Sequence, residues 1–284
     1  MGQFEFDTKL SKCVSCDSSD LVDYVADFRK INICKCNNCG LQFMNPQYTD
    51  IYLAEYYSLY TNDEDLEYWH NALLYGHDFY LSLIESYISP GALLDIGCGN
   101  GHLLEAAINR GWDVTGYDVD EKSTKKVAKR LGVNVESSDF FEVFLNHKGI
   151  YDLVTMHQVL EHLKSPGAYL DKIYSLIKDG GYIFVAVPNI HSLSNRIKFF
   201  LEGKGLRKKN IGKYYDTNHH VLYFDPDTLT FLLRKHGFQV VYKRNGHKAR
   251  PEQSKVKRFF MRNVTDFLFM KSTFFVVAKK VNEA

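Results

Sequence analysis

The sequence predicts an α/β protein, a mainly parallel sheet with helices on both faces, preceded by a small metal-bound module. Two observations carry this. From residue 90 onward, strand-like and helix-like segments alternate, as crossover connections in a parallel sheet require. Before that point, four cysteines stand in two Cys-x-x-Cys pairs, a pattern that favours a metal over disulfides in a chain of cytosolic character.

The bulk numbers agree with a globular chain. Its 284 residues are 45% hydrophobic and 24% charged, and 35 Lys and Arg nearly cancel 34 Asp and Glu. Whole-molecule charge therefore gives no argument for a polyanionic partner. The opening "MGQFEFDTKL" lacks the basic start and apolar core of a signal peptide, and nowhere do about 18 apolar residues run together, so the expected location is cytoplasmic. Gly2 does not begin a myristoylation motif, because the sixth position is Phe6 rather than Ser or Thr.

The first element, residues 1–46, reads as a zinc ribbon. "CVSC" supplies Cys13 and Cys16, "CKCNNCG" supplies Cys36 and Cys39, and 19 residues separate the pairs. Four thiolates make the closed tetrahedral shell that structural Zn2+ prefers, with no open position for chemistry. The intervening "LVDYVADFRKINI" alternates as a hairpin does, and Gly40 follows the last ligand. Cys34 is spare, a small core residue or else a replacement ligand for Cys36.

Residues 47–89 form a helical linker or lid. The segment is rich in tyrosine, and "LEYWHNALLYGHDFYLSLIESYI" repeats its apolar residues at helical spacing, so two or three helices are expected. Tyr56, Tyr57 and Tyr60 are candidates for a lid; a tyrosine stripe is otherwise core.

From 90 to 284 the alternation begins with "ALLDI", "HLLEAAINRG", "DVTGYD", "EKSTKKVAKRLG" and "VNVESSD". It continues through "YDLVTM", "AYLDKIYSLIKDGG" and "YIFVAVP", then a helix "DPDTLTFLLRKHG", a strand "FQVVYK" and a last strand "STFFVVAKK". Insertions are expected near 190–220 and 244–270.

Between the first strand and helix lies "DIGCGNG", with Gly97, Gly99 and Gly101. A dinucleotide fingerprint is GxGxxG, with pyrophosphate on the helix N-terminus; this run is GxGxG with Asp95 ahead of it. A carboxylate facing the ligand there repels a pyrophosphate and attracts an ammonium or sulfonium. Asp118, beside Val119 at the end of the second strand, has the reach to hold both hydroxyls of a ribose. Asp139 after the third strand is set to accept from an adenine amino group, with Phe140 beside the ring. Three acids in this order, each at a strand's carboxyl end, suit S-adenosylmethionine (SAM).

With these motifs the segment from about residue 90 onward resembles a class I SAM-dependent methyltransferase. "LLDIGCGNG", "GYDVD" and "SSDFF" resemble its first three motifs, and "VLEHLKSPGAYLDKIYSLIKDGGYIFVAVPN" resembles the corresponding region of its UbiG-like group. "HHVLYFDPDTLTFLLRKHGFQVV" matches the last helix-strand unit. The ribbon followed by "CGLQFMNP" is similar to a bacterial subgroup with an N-terminal zinc module, associated with sugar, polysaccharide or natural-product methylation. The resemblance implies a Rossmann-like sheet of seven strands with an antiparallel last strand. It also implies SAM held by Asp95, Gly97, Cys98, Gly99, Gly101, Asp118, Val119, Asp139, Phe140, His157 and Gln158, with Cys98 contributing backbone more than sulfur.

Methyl transfer from a sulfonium is an in-line displacement, for which the protein mainly aligns the reactants, and a hydroxyl acceptor also needs a base. "MHQVLEHL" puts Glu161 and His162 after the fourth strand. This pair is open to three roles: base and orienter, ligands for a catalytic divalent ion as in some UbiG-like relatives, or a structural contact. His219 and His220 lie at the far end of the insertion after the fifth strand, where acceptor pockets are commonly built. The base is thus drawn from His162, His219 or His220.

Two basic, aromatic stretches, 195–210 and 242–263, fit a diphosphate, an anionic membrane surface, RNA or plain solvent. The expected activity is O-methylation of a saccharide, as sugar nucleotide or glycan, or of a related small metabolite. The alternatives are C- or N-methylation of a deoxysugar or natural product, RNA methylation, and a non-catalytic SAM-fold assembly module. Nucleic acid is disfavoured by the neutral charge and by the lack of a catalytic tetrad such as NPPY; "VPNI" keeps one such proline.

Overall fold

The central strand β4 (Ala92–Ile96) is apolar at four of its five positions, Ala92, Leu93, Leu94 and Ile96, as a strand covered on both faces must be. It pairs in parallel with β5 (Asp113–Tyr117) on one side and β7 (Tyr151–His157) on the other. In this computed structural model, which describes residues 4–26, 31–59, 66–206, 215–246 and 271–281, the sheet extends to β6 (Asn134–Glu136) beyond β5. Past β7 come β8 (Ile177–Pro188), β11 (Thr273–Lys280) and β10 (Phe238–Asn245), for the order β10-β11-β8-β7-β4-β5-β6. β11 lies antiparallel to both β8 and β10, so among the seven it alone runs against the rest, as expected of the last strand.

The helices start where the sequence supplies caps. α3 (His102–Asn109) follows Gly101, whose φ of 74° needs glycine. α4 (Glu121–Leu131) begins at Asp120, which accepts from the Lys122 N–H, and ends at left-handed Gly132. α5 (Phe140–Val143) is capped by Asp139, and α6 (Pro166–Leu176) has Pro166 in its first turn. α7 (Leu193–Gly203) carries residues 195–203 of the first basic stretch; 207–210 lie outside the described residues, as do 247–263 of the second. α8 (Pro226–Lys235) opens with a reciprocal capping box between Asp225 and Thr228.

Among the described residues the linker holds two helices, α1 (Asp50–Leu59) and α2 (Leu66–Ile84); Tyr60 lies outside the described residues. Among the described residues no helix is long and apolar enough to cross a membrane.

The N-terminal module builds a second sheet, β1 (Leu21–Ala26), β2 (Asn32–Cys36) and β3 (Gln42–Met44), antiparallel in sequence order. Its fourth strand comes from far along the chain. β9 (Leu222–Tyr223) pairs with β3, Gln42 opposite Tyr223 and Phe43 opposite Leu222. The ribbon is thereby welded to the segment just after His219 and His220, and one hydrophobic cluster runs from Ile33 and Phe43 into Leu222, Leu229 and Val185.

Candidate active site

The glycine loop hangs from the ends of β4 and β5: the N–H groups of Gly97 and Cys98 both donate to the Tyr117 carbonyl, at 2.7 and 3.0 Å. Gly97 has φ 72°, and a Cβ there would stand 2.3 Å from Val159 Cγ2, so both conformation and space demand glycine. Beside Gly99 no atom lies within 4 Å of where a Cβ would be; the loop is open at that point. Asp118 stabilises it by accepting from Gly99 N–H at 2.8 Å and from Asp120 N–H at 3.0 Å.

A cavity of about 600 Å3 opens in front of the loop, within the ~300–1,000 Å3 of small-molecule sites. Gly97, Gly99, Asp118, Val119 and Gln158 line it on one side, and Glu161, His162, His219 and His220 on another. Tyr56 and Tyr57 of α1 also line it. The chain reaches this wall through Gln158, whose φ of 60° is unusual for a non-glycine residue. A short 3-10 turn, Leu160–His162, follows.

Other residues expected at the cofactor stand behind the wall. Asp95 is 3% exposed and accepts from the Thr155 hydroxyl at 2.6 Å, its neighbour in the β4–β7 register. Burial pushes its carboxyl up to about 7. Cys98 is buried with its sulfur over Gly116, and burial raises its thiol. His157 is half-buried against His77 and Tyr80 of α2, with ring centroids 5.1 and 5.8 Å away, and its burial holds it down to about 4. Asp139 spends one oxygen on the N–H groups of Phe141 and Glu142, and Phe140 packs inward against Tyr117 and Tyr169. Gly101 is pressed against Val127. None of these six is on the lining of this cavity.

The polar cluster opposite the glycine loop is the least ordinary part of the chain. Glu161 is 1% exposed, and neither carboxylate oxygen has a hydrogen-bond partner; burial pushes it up to about 8. His162 stacks on His219 with centroids 5.0 Å apart and meets His220 edge-on at 4.8 Å. Burial, then the neighbouring imidazoles, hold His162 to about 4 and His220 to about 2, and burial also lowers His219. All three rings are thus neutral at neutral pH. Tyr56 stacks on His219 and Tyr57 stands edge-on to His162.

A second cavity of about 350 Å3 shares Gln158, Asp216 and His220 with the first. Asn189, Ser194, Asn195 and Lys198 give it polar walls. The sequence carries no periodic signal for Asn189 and Ser194, nor for Lys122, Ser123 and Lys126 of α4 or Tyr169 of α6, which line the first cavity; only their neighbours in space reveal them, whereas Asn195 and Lys198 fall in the basic stretch 195–210.

In the ribbon, one sulfur from each of Cys13, Cys16, Cys36 and Cys39 lies within 4.8 Å of the others. Cys13 and Cys39 are 3.6 Å apart and Cys16 and Cys36 3.5 Å, close to the ~3.8 Å edge of a tetrahedron with 2.3 Å zinc–sulfur bonds. The residues therefore fit a structural zinc. Cys34 sits behind them, opposite Phe43, buried as a core residue.

A family model described as a methyltransferase domain matches residues 68–243, more than half of the chain. A ubiquinone biosynthesis O-methyltransferase of Bordetella avium is 39% identical over 103 residues, covering 34% of this chain and 42% of that protein. One of Nitrosomonas europaea is 30% identical over 115 residues, covering 39% and 49%. The chain spans less than half the length of these curated relatives. The crystal structure of 1,6-didemethyltoxoflavin N1-methyltransferase from Burkholderia thailandensis, with 1,6-didemethyltoxoflavin and S-adenosylhomocysteine bound, superposes with a TM-score of 0.57. It covers 92% of this chain and 99% of its own at 17% identity, a likeness of fold.

Proposed function

Because the chain belongs to the methyltransferase domain family and has its Rossmann-like α/β fold, we propose that it transfers a methyl group from SAM to a hydroxyl oxygen of a polar small molecule. The carrying observation is that one cavity joins the open glycine loop and Asp118 to the buried Glu161 and three neutral imidazoles. SAM, when bound, supplies an electrophilic methyl group. Asp118 orients the ribose, the glycine backbone admits the cofactor closely, and Tyr56 and Tyr57 exclude water. A neutral imidazole of His162, His219 or His220 accepts the acceptor proton, with the Glu161 carboxyl 3.9 Å from His162 Nε2.

Oxygen as the acceptor atom is supported by the O-methyltransferase relatives. The polar walls of the second cavity favour a hydroxyl-rich acceptor, a saccharide or related metabolite, over a long apolar tail such as a quinone precursor carries. The four ribbon cysteines hold a structural zinc in this reading.

The test is transfer of labelled methyl from SAM to sugar nucleotides, lipid-linked glycans, phenols and total tRNA. Label in a saccharide oxygen is the expected result. Label only in RNA, only on carbon or nitrogen, or in nothing although SAM binds, overturns it. Alanine at each of the three histidines should cut turnover for at least one; three intact variants remove the histidine base.

A further inference from the structure

Among the described residues three besides glycine hold a left-handed φ: Asp17, Gln158 and Asp216, at 61°, 60° and 49°. Such conformations are uncommon outside glycine and gather where a site needs them. Asp17 follows Cys16 in a turn of the ribbon. The other two, together with His220, are the three residues that line both cavities. They form the neck at which the cofactor cavity of about 600 Å3 meets the second, of about 350 Å3.

Asp216 is held in the neck from both sides. Its neighbours Tyr215 and Thr217 are buried. The Tyr215 hydroxyl donates to Gln42 Oε1 at 2.7 Å, and the Thr217 carbonyl accepts from the Tyr48 hydroxyl at 2.6 Å. The Asp216 carbonyl accepts from the N–H groups of His219 and His220, at 3.4 and 3.2 Å, which starts the turn that presents both rings. The carboxylate itself has no such duty. It is half-exposed and, among the described residues, accepts no hydrogen bond; the ionisable group near it is His219, with Nδ1 3.8 Å from Oδ1. A loop pinned this firmly around an unspent carboxylate is preorganised for a ligand that donates.

We propose that Asp216 selects which hydroxyl of the acceptor is methylated. The second cavity takes the body of the sugar, the reacting hydroxyl meets an imidazole at the neck, and the Asp216 carboxylate accepts from a hydroxyl on the adjoining carbon. A carboxylate is an acceptor with two oxygens, matched to the donors of a vicinal diol. Asp216 is also the one acid among the described residues that line the second cavity; the rest of its polar wall, Asn189, Ser194, Asn195 and Lys198, is neutral or cationic. A site that spends a charged acceptor on a substrate hydroxyl rejects the analogue lacking it far more strongly than a pocket that reads shape alone. The role rests on the proposed transfer to a saccharide oxygen and adds the part of the sugar that the protein reads.

The probes are the sugar nucleotides and lipid-linked glycans of the transfer assay and, for the one that takes label, two deoxy analogues, each lacking a hydroxyl next to the methylated oxygen. They are run with the full wild-type chain and with Asp216→Asn, which tolerates the left-handed φ and removes the charge. In the wild type one deoxy analogue should lose about tenfold or more in kcat/KM, as expected for a hydrogen bond to a charged group. Asp216→Asn should lose a like factor on the parent saccharide, be nearly indifferent to the missing hydroxyl, and place part of its methyl groups on a second oxygen, read by NMR of the product. Its affinity for S-adenosylhomocysteine should stay within a few-fold, which reports that the fold persists. A wild type indifferent to both neighbouring hydroxyls, or a variant that discriminates as the wild type does, overturns the role of Asp216 while the methyl transfer stands. Equal losses by the variant on all three acceptors make Asp216 structural and overturn the role as well. No label in any of these probes overturns the proposed function, and the role of Asp216 falls with it.

Discussion

The backbone N–H of Met44 donates to the carbonyl of Val221 at 2.9 Å, fastening the ribbon to the segment that carries His219 and His220. Tyr48 and Tyr52 add hydrogen bonds from their hydroxyls to the carbonyls of Thr217 and Asn218, at 2.6 and 3.4 Å. The ribbon thus acts as a strut for the histidines, while the glycine loop hangs from β4 and β5.

If the four cysteines hold the proposed zinc, its loss should therefore damage chemistry before cofactor binding. In Cys36→Ser, methyl transfer is expected to fall more than tenfold, the equivalent of about 1.4 kcal/mol, while S-adenosylhomocysteine affinity stays within a few-fold. Calorimetric titration beside the transfer assay checks this. Equal loss of both would mean that the ribbon supports the whole fold and not the loop.

The glycine loop makes the converse prediction. Asp118→Asn removes a charged acceptor from two backbone N–H groups and from the expected ribose contact. Hydrogen bonds to a charged group contribute about 1.5–3 kcal/mol, so cofactor affinity should drop roughly ten- to a hundredfold. Gly97→Ala must place a Cβ 2.3 Å from Val159 at φ 72°, and cofactor binding should vanish. Wild-type affinity in either variant would remove the loop as the cofactor site.

How much of this was legible depends on distance along the chain. Gly97, Gly99 and Asp118 could be read because strand, turn and helix follow one another locally, and the two Cys-x-x-Cys pairs because each sits on one tight turn. The pairing of Gln42 with Tyr223 could not, since nothing in either stretch names a partner so remote. Asp95 and His157 show a different limit. Both stand at strand ends as cofactor contacts do, but Asp95 is held inside by Thr155 and His157 by His77 and Tyr80. Which face a strand-end residue takes is set by the layer packed on it.

The His77 and His157 rings carry a pH prediction. Burial, then His157, holds His77 down to about 3 from its ordinary 6.5, and burial holds His157 to about 4. Folded values below unfolded ones mean that their stabilisation is complete above pH 6.5 and is lost as pH falls toward 4. His77→Leu, similar in volume, removes one of the protons taken up on unfolding. Its melting temperature should fall less steeply than that of the wild type between pH 6.5 and 4. Parallel curves would mean that the protons act elsewhere.

Lys198 offers the sharpest probe of the acceptor. It lines the second cavity with Asn195 and Ser194. If a sugar nucleotide is the acceptor, its diphosphate has a cation to meet there, and a charge-assisted contact of this kind is worth about 1.5–3 kcal/mol. Lys198→Met should then raise the KM for the sugar nucleotide roughly ten- to a hundredfold with little change in kcat, because the contact is made equally in the bound and reacting states. A neutral glycoside with the same sugar should be almost indifferent to the substitution. Equal losses for both acceptors, or none for either, would separate Lys198 from phosphate recognition and leave Asn195 and Ser194 as the contacts that select a hydroxyl-rich molecule.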